Sequence, residues 1–336
     1  MNTPWIRRLS SPFRAAEAPD TRVAFAPTRL VWSRGLALLC DHNGGTAFVR
    51  EQLGGRAALR FDAEAYTNVA DGELVWVRAT ALPQFLQEAL PRIRARFALV
   101  TGDEDWSIPS DFDRASDICS HRSVVCWFTQ NFDGVDGSGK ILPMPIGLDF
   151  HTISNGPRWG HAQASPAQQE AELESLRATM PANARRLPRV HADFHFNRHS
   201  RALLGQTRAS VETVLRANPL VDFQRRKVSR DRLWRNKLRY AFTVSPHGNG
   251  LDCHRTWESL ALGNIVIVRR SPLDPLYEGL PVVIVESWED INQDNLMRWH
   301  AQFGPRFSAP DFLDRLTNRY WIDRMRALLR ERLARA

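Results

Sequence analysis

The feature that most restricts this chain is a set of short, nearly all-apolar runs, each emptying into a polar or glycine-bearing turn. Phe97–Val100, Val124–Phe128, Ala241–Ser245, Ile265–Val268 and Val282–Val285 are the clearest. Runs of this kind have no polar face to give to water, so they read as strands covered on both sides. Weaker strands are predicted at Leu30–Trp32, Leu74–Val77, Val190–Phe196 and Leu220–Phe223. Helical patterns lie between them, at Leu82–Leu90, Pro166–Met180, Ser200–Ala217, from Ser229, at His254–Leu262, Trp288–Phe303 and Asp311–Arg335. Alternating strands and helices predict an α/β fold with parallel, doubly wound sheets. At roughly 100–200 residues per domain, 336 residues predict two such units. The segment from Ser154 to Pro188, rich in Ala, Gln, Glu and Pro, reads as the linker. The predicted division is 1–188, 189–310 and a C-terminal helix, 311–336, packing back on the first unit.

Charge bears on partners. The chain has 45 Lys+Arg against 37 Asp+Glu, a net charge of +8. Residues 1–190 carry 21 of each, so the whole excess lies in residues 191–336, and nearly all of it is Arg. Arg presents a planar fork of donors that suits phosphate. The start, Met1 to Asp20, lacks the apolar core of a signal sequence, and no apolar run reaches membrane-spanning length. Four scattered cysteines without a CxxC pair argue against a disulfide framework and a zinc finger. His191, His195 and His199 are spaced by four, but the strand pattern there spreads the rings too far apart for one metal.

Three stretches could carry chemistry. Gly134 to Lys140 has P-loop spacing, but Ile141 replaces the Ser/Thr, and Pro143 and Pro145 forbid the following helix. Asp103 and Asp105 follow a buried strand, where a carboxylate pair could hold a cation or act as a base. The run from Phe242 to Gly263 is the informative one. A strand ends in a loop with Gly248 and Gly250, and a helix opens at His254. Free N–H groups at that helix start favour phosphate, Arg255 could clamp it, and Glu258 could accept ribose hydroxyls.

Residues 242–292 resemble the donor-binding region of exostosin-like glycosyltransferases, including bacterial members and ribitol xylosyltransferase-like proteins. The stretches that carry the resemblance are Ser245-Pro-His-Gly-Asn-Gly-Leu-Asp-Cys-His-Arg-Thr-Trp-Glu-Ser-Leu-Ala-Leu-Gly and Ser271-Pro-Leu-Asp-Pro-Leu-Tyr-Glu-Gly-Leu-Pro-Val-Val-Ile-Val. Asn264-Ile-Val-Ile-Val departs mildly from the pattern, which commonly has Pro before the last Ile-Val. Leu99 to Pro109, Trp127 to Asn131 and Pro145 to Asp149 are similar more loosely. The resemblance implies two Rossmann-like domains facing across a cleft, the glycosyltransferase-B type. It implies transfer of a sugar from a nucleotide-diphosphate sugar to an acceptor hydroxyl, in polysaccharide or glycoconjugate synthesis; a UDP-sugar is taken as the working donor, since the resemblance does not name the base. It puts His254, Arg255 and Glu258 against the diphosphate and ribose, Asn249, Gly250 and Asp252 on the loop before them, and Ser271, Asp274 and Tyr277 over the base. It supplies no catalytic base; Asp103 and Asp105 come first, then Asp149 and His151.

Metal-free transfer needs cations at the leaving diphosphate. Arg255 is the first candidate, then Arg225, Arg226 and Lys227, with Arg201 behind; no metal or other cofactor is required. The rival readings are a metal-dependent transferase using Asp103 and Asp105, and a basic protein binding nucleic acid or a membrane surface. No RRM, zinc or helix-turn-helix signature supports nucleic acid. The expected partners are therefore a nucleotide sugar and a glycan or lipid-linked acceptor. The expected location is the cytoplasm, with a peripheral place at the inner membrane face suggested by the arginines of the last helix.

Overall fold

The computed structural model describes residues 28–44, 61–134, 137–194 and 201–335. Two parallel sheets organise them. The first holds β1 (Leu74–Arg78), β2 (Phe97–Gly102), β3 (Val124–Thr129) and β4 (Ile141–Pro143), side by side in chain order. The second holds β5 (Leu187–Ala192), β6 (Val221–Phe223), β7 (Tyr240–Val244), β8 (Ile265–Arg269) and β9 (Val282–Val285), in the order β6-β5-β7-β8-β9. Every pairing is parallel. The protein is α/β, with two Rossmann-like units facing each other across a cleft, and the apolar runs are the strands.

The main helices are α1 (Ser33–Leu39), α2 (Ala115–Ser120), α3 (Pro166–Thr179), α4 (Arg208–Arg216), α5 (Arg230–Lys237), α6 (His254–Ala261), α7 (Gln293–Phe303) and α8 (Asn318–Arg335). Their starts follow local chemistry. Ser165 and Gln168 form a capping box ahead of α3 with Pro166 in its first turn, and Thr207 and Ser210 do the same for α4. α6 stops at Gly263, whose φ of 76° costs little only for glycine.

Several sequence expectations shift. Leu30–Trp32 is not a strand. It forms single antiparallel bridges to Thr317 and Gly147, and Trp32 caps α1. Its apolar side chains plug the core, while its backbone pairs with loops, as in Val31 N–H to Leu316 O at 2.8 Å. α4 begins at Arg208 rather than Ser200, because Leu204 and Gly205 take left-handed φ of 50° and 74°. His195 and His199 lie outside the described residues.

Two helices tie the halves together. In α3, Glu170 accepts the Arg29 and Leu30 amides at 3.0 and 2.6 Å, while Arg177 donates to the Ala261 carbonyl at the end of α6. α8 returns from the second half to pack on α1, β2 and β3. Trp321, Ile322, Met325 and Leu329 are its buried face, and the Trp321 ring meets Trp257 of α6 edge-on at 5.9 Å. One apolar cluster therefore runs from the first sheet through α8 into α6. Five of the seven arginines predicted to form a basic face on the last helix have protein partners. Arg315, Arg319, Arg326 and Arg335 pair with Asp311, Asp323, Asp41 and Glu331, and Arg332 donates to the Gly139 carbonyl. Among the described residues, no helix is long and apolar enough to cross a membrane.

Candidate active site

In the second sheet the chain runs from β5 outward to β6, then crosses back to β7 on the other side of β5. Between β5 and β7 the winding direction reverses, which opens a crevice at the strands' carboxyl ends where open α/β sheets take ligands. A cleft of about 680 Å³ lies here. Asp193 and Phe194 follow β5, Gln224 and Arg226 to Ser229 follow β6, and His254, Arg255 and Glu258 project from the first turns of α6. Asp149, Trp159 and Gly160 line it from the other half.

The lining is built of charge. Arg208, Arg226, Lys227, Arg230 and Arg255 face Asp149, Asp193 and Glu258. Asp193 is buried between Arg255 and the wholly buried Lys237, whose Nζ lies 3.1 Å away. Burial raises its pKa, but Lys237 and Arg255 outweigh this and hold it below the usual carboxylate range. Burial alone would lower the Arg255 pKa, but Asp193 keeps its guanidinium charged. Glu258, one turn on, is pushed up by burial. Gly248 makes room for Arg208: a Cβ there would sit 2.6 Å from Nη2, and Arg208 Nε donates to the His247 carbonyl at 3.0 Å.

The opposite wall is equally specific. His151 Nδ1 lies 3.0 Å from Asp149 Oδ1, and the two rings His151 and His254 have centroids 5.5 Å apart. His254 Nδ1 is 2.8 Å from the Gly147 carbonyl. A carbonyl can only accept, so Nδ1 is the donating nitrogen and Nε2 is the one left facing away from Gly147. Gly147 holds φ of 70°, and a Cβ would fall 2.1 Å from Val31 O. Burial raises the Asp149 pKa, but the two imidazoles and Thr152 outweigh it and hold the carboxylate ionised. Burial lowers that of His151.

The structure brings His254, Arg255 and Glu258 together along the cleft, and places other candidates elsewhere. Asp103 is spent. Arg34 Nε lies 3.1 and 3.2 Å from its two oxygens, Arg78 is also close, and only 4% of the carboxylate side chain is exposed. Asp105 accepts from Asn249 across the domains at 3.2 Å. The two carboxylates therefore do not chelate one ion. Gly250 approaches Asn131, not a ligand: a Cβ would lie 2.5 Å from its amide. Asp252 is buried. It accepts from the Ile146 amide, the Trp257 indole and the Cys253 amide, each at 2.8 Å, so it joins the two halves rather than facing a sugar. Arg225 opens on a neighbouring polar groove with His191 and Tyr240, while Arg226 and Lys227 reach the cleft. Arg201 pairs with Asp111 of the first half. Asp274 accepts from the Ser271 amide at 3.0 Å and from Arg270 at 2.8 Å. Ser271 and Tyr277 line a separate water-sized cavity of about 20 Å³. Asp193, Arg208 and Arg230 were missed. Nothing local in the sequence marks Asp193 or the two arginines.

No protein-family model matches the chain, and no curated protein matches it. Solved structures do. A trehalose 6-phosphate synthase from Burkholderia multivorans is 13% identical over 81% of this chain and 74% of that one, with a TM-score of 0.41. The N-terminal domain of trehalose-6-phosphate phosphatase from Candida albicans is 12% identical over 80% and 73%, again at 0.41. A protein from E. coli described as bound with UDP-2-fluoro glucose is 9% identical over 92% and 87%, at 0.32. The α/β assignment stands on the two parallel sheets themselves.

Proposed function

We propose that the protein is a glycosyltransferase that moves a sugar from a nucleotide-diphosphate sugar to an acceptor hydroxyl. The observation that carries this is the interdomain cleft at the switch point, where the start of α6 and five cations face three carboxylates. A leaving diphosphate gathers negative charge. Arg255, Arg208 and the positive end of the α6 dipole are fixed before the reaction begins, so they stabilise that charge without reorganising. Glu258 lies on the same helix face, within one turn, where a ribose diol would sit. The acceptor enters beside Asp149 and His151, and the imidazole is the group placed to take its proton, with Asp149 orienting the ring.

A thermal-shift screen against nucleoside diphosphates and nucleotide sugars tests the reading, beginning with UDP and UDP-sugars. Stabilisation is expected to saturate with one preferred base. Arg255→Ala should cut transfer by about 10²–10³, the usual loss when one charge-stabilising donor is removed. A flat screen together with unchanged transfer in Arg255→Ala would sink the assignment. The metal-dependent alternative at Asp103 and Asp105 is not favoured, because Arg34 occupies the first carboxylate and Asn249 the second.

A further inference from the structure

We propose that Asp149, His151 and His254 form a binding site for a divalent transition metal that bridges the two halves of the protein at the wall of the cleft. Each residue offers one ligand atom, and all three atoms lie within 4.8 Å of one another. Neighbouring ligands on a zinc-like ion, with bonds of about 2.0–2.2 Å, stand about 3–3.5 Å apart. Asp149 Oδ1 and His151 Nδ1 are already at 3.0 Å. Closing the third ligand onto them takes roughly an ångström.

The surroundings are those of a metal site. Gly147 O fixes the His254 proton on Nδ1, which leaves Nε2 as the donor. His151 Nε2 lies 3.4 Å from Thr152 Oγ1. With a cation on Nδ1, Nε2 faces Thr152 Oγ1, a hydroxyl that can accept the ring proton there. Thr152 N–H donates to Asp149 Oδ1 at 3.0 Å and orients the carboxylate. Two imidazoles and one carboxylate select a zinc- or cobalt-like ion over magnesium. Three protein ligands leave at least one position open, and Asp149 and His254 both border the cleft. With a metal on Nδ1 and the ring proton on Nε2, His151 has no lone pair for the acceptor, so the metal site takes the place of the base role given to that ring above; it rests on the transferase reading only for its further ligand, which would be a diphosphate oxygen.

The two parts separate in the test. The full chain, stripped with a chelator, is titrated with Co²⁺ and followed by visible absorption. One equivalent is expected to bind, with bands of low-symmetry nitrogen–oxygen ligation. Zn²⁺ should displace it and Mg²⁺ should not. Asp149→Asn and His254→Ala should each weaken binding by at least about tenfold, the loss that even an outer-sphere change gives. His161→Ala, half-buried beside Glu172 and away from the three ligands, should not. Absence of the spectrum in the wild-type chain overturns the metal site whether or not the variants fold. So does binding that both variants retain. If nucleoside diphosphates still stabilise a chain that takes no cobalt, the metal fails alone, and His151 with Asp149 is a proton relay.

Discussion

Asp252 gives the sharpest quantitative test. It accepts three N–H donors, yet burial dominates and pushes its pKa from 3.8 up to about 6. A carboxyl whose folded pKa is raised binds protons more tightly in the native state, so stability falls as pH rises through about 6. The gap of about two units at 1.36 kcal/mol per unit is about 3 kcal/mol, reached in full only below pH 3.8. Between pH 7.5 and pH 5 it delivers about 1.4 kcal/mol of added stability at the lower pH. Asp252→Asn removes this titration. The amide oxygen can keep Ile146 and Trp257, but Cys253 N–H then faces an NH₂ group, at a cost of about 1–3 kcal/mol. The substitution should therefore be near neutral at pH 7.5 and clearly destabilising at pH 5. Urea denaturation of both proteins at the two pH values reads it. Equal differences at pH 5 and 7.5 would refute burial as the controlling influence on this carboxyl.

Other outcomes follow from the same contacts. Trp257→Ala should cost about 3–5 kcal/mol, because the ring is wholly buried against Trp321 and also donates to Asp252; chemical denaturation checks it. Gly147→Ala and Gly72→Ala both place alanine at positive φ. Only Gly147 has a carbonyl 2.1 Å from the new methyl, so its melting temperature should fall further by calorimetry; equal losses would contradict the close approach. A thiol reagent should modify Cys253 first in the native protein. Cys40 and Cys126 are buried, and burial pushes the Cys126 thiol up to about 12. Cys253→Ser should remove the fast phase.

The sheets were legible because burial on both faces leaves an unmistakable apolar run. β2, β3, β8 and β9 sit within a residue or two of where the pattern puts them. α6 was legible with the three side chains it lends to the cleft because the turn, the helix start and the closing Gly263 are contiguous. What sequence could not show were pairings between distant segments. Asp103 looks like a catalytic carboxylate until Arg34 is seen against it. Asp252 and Gly250 look like ligand contacts until Ile146 and Asn131 arrive from the other half. Asp193 gains its role only when Lys237 and Arg255 converge on it. Leu30–Trp32 has the composition of a strand, and only the loops it meets decide otherwise.

The return of α8 to the first sheet bears on the order of folding. Ribosomal synthesis usually lets the N-terminal domain fold first. Here β1 to β4 are all made long before Trp321, Ile322, Met325 and Leu329, the side chains that close their core. The first half to be synthesised is therefore the last to be completed. Until the final helix emerges, it must wait with an open apolar face.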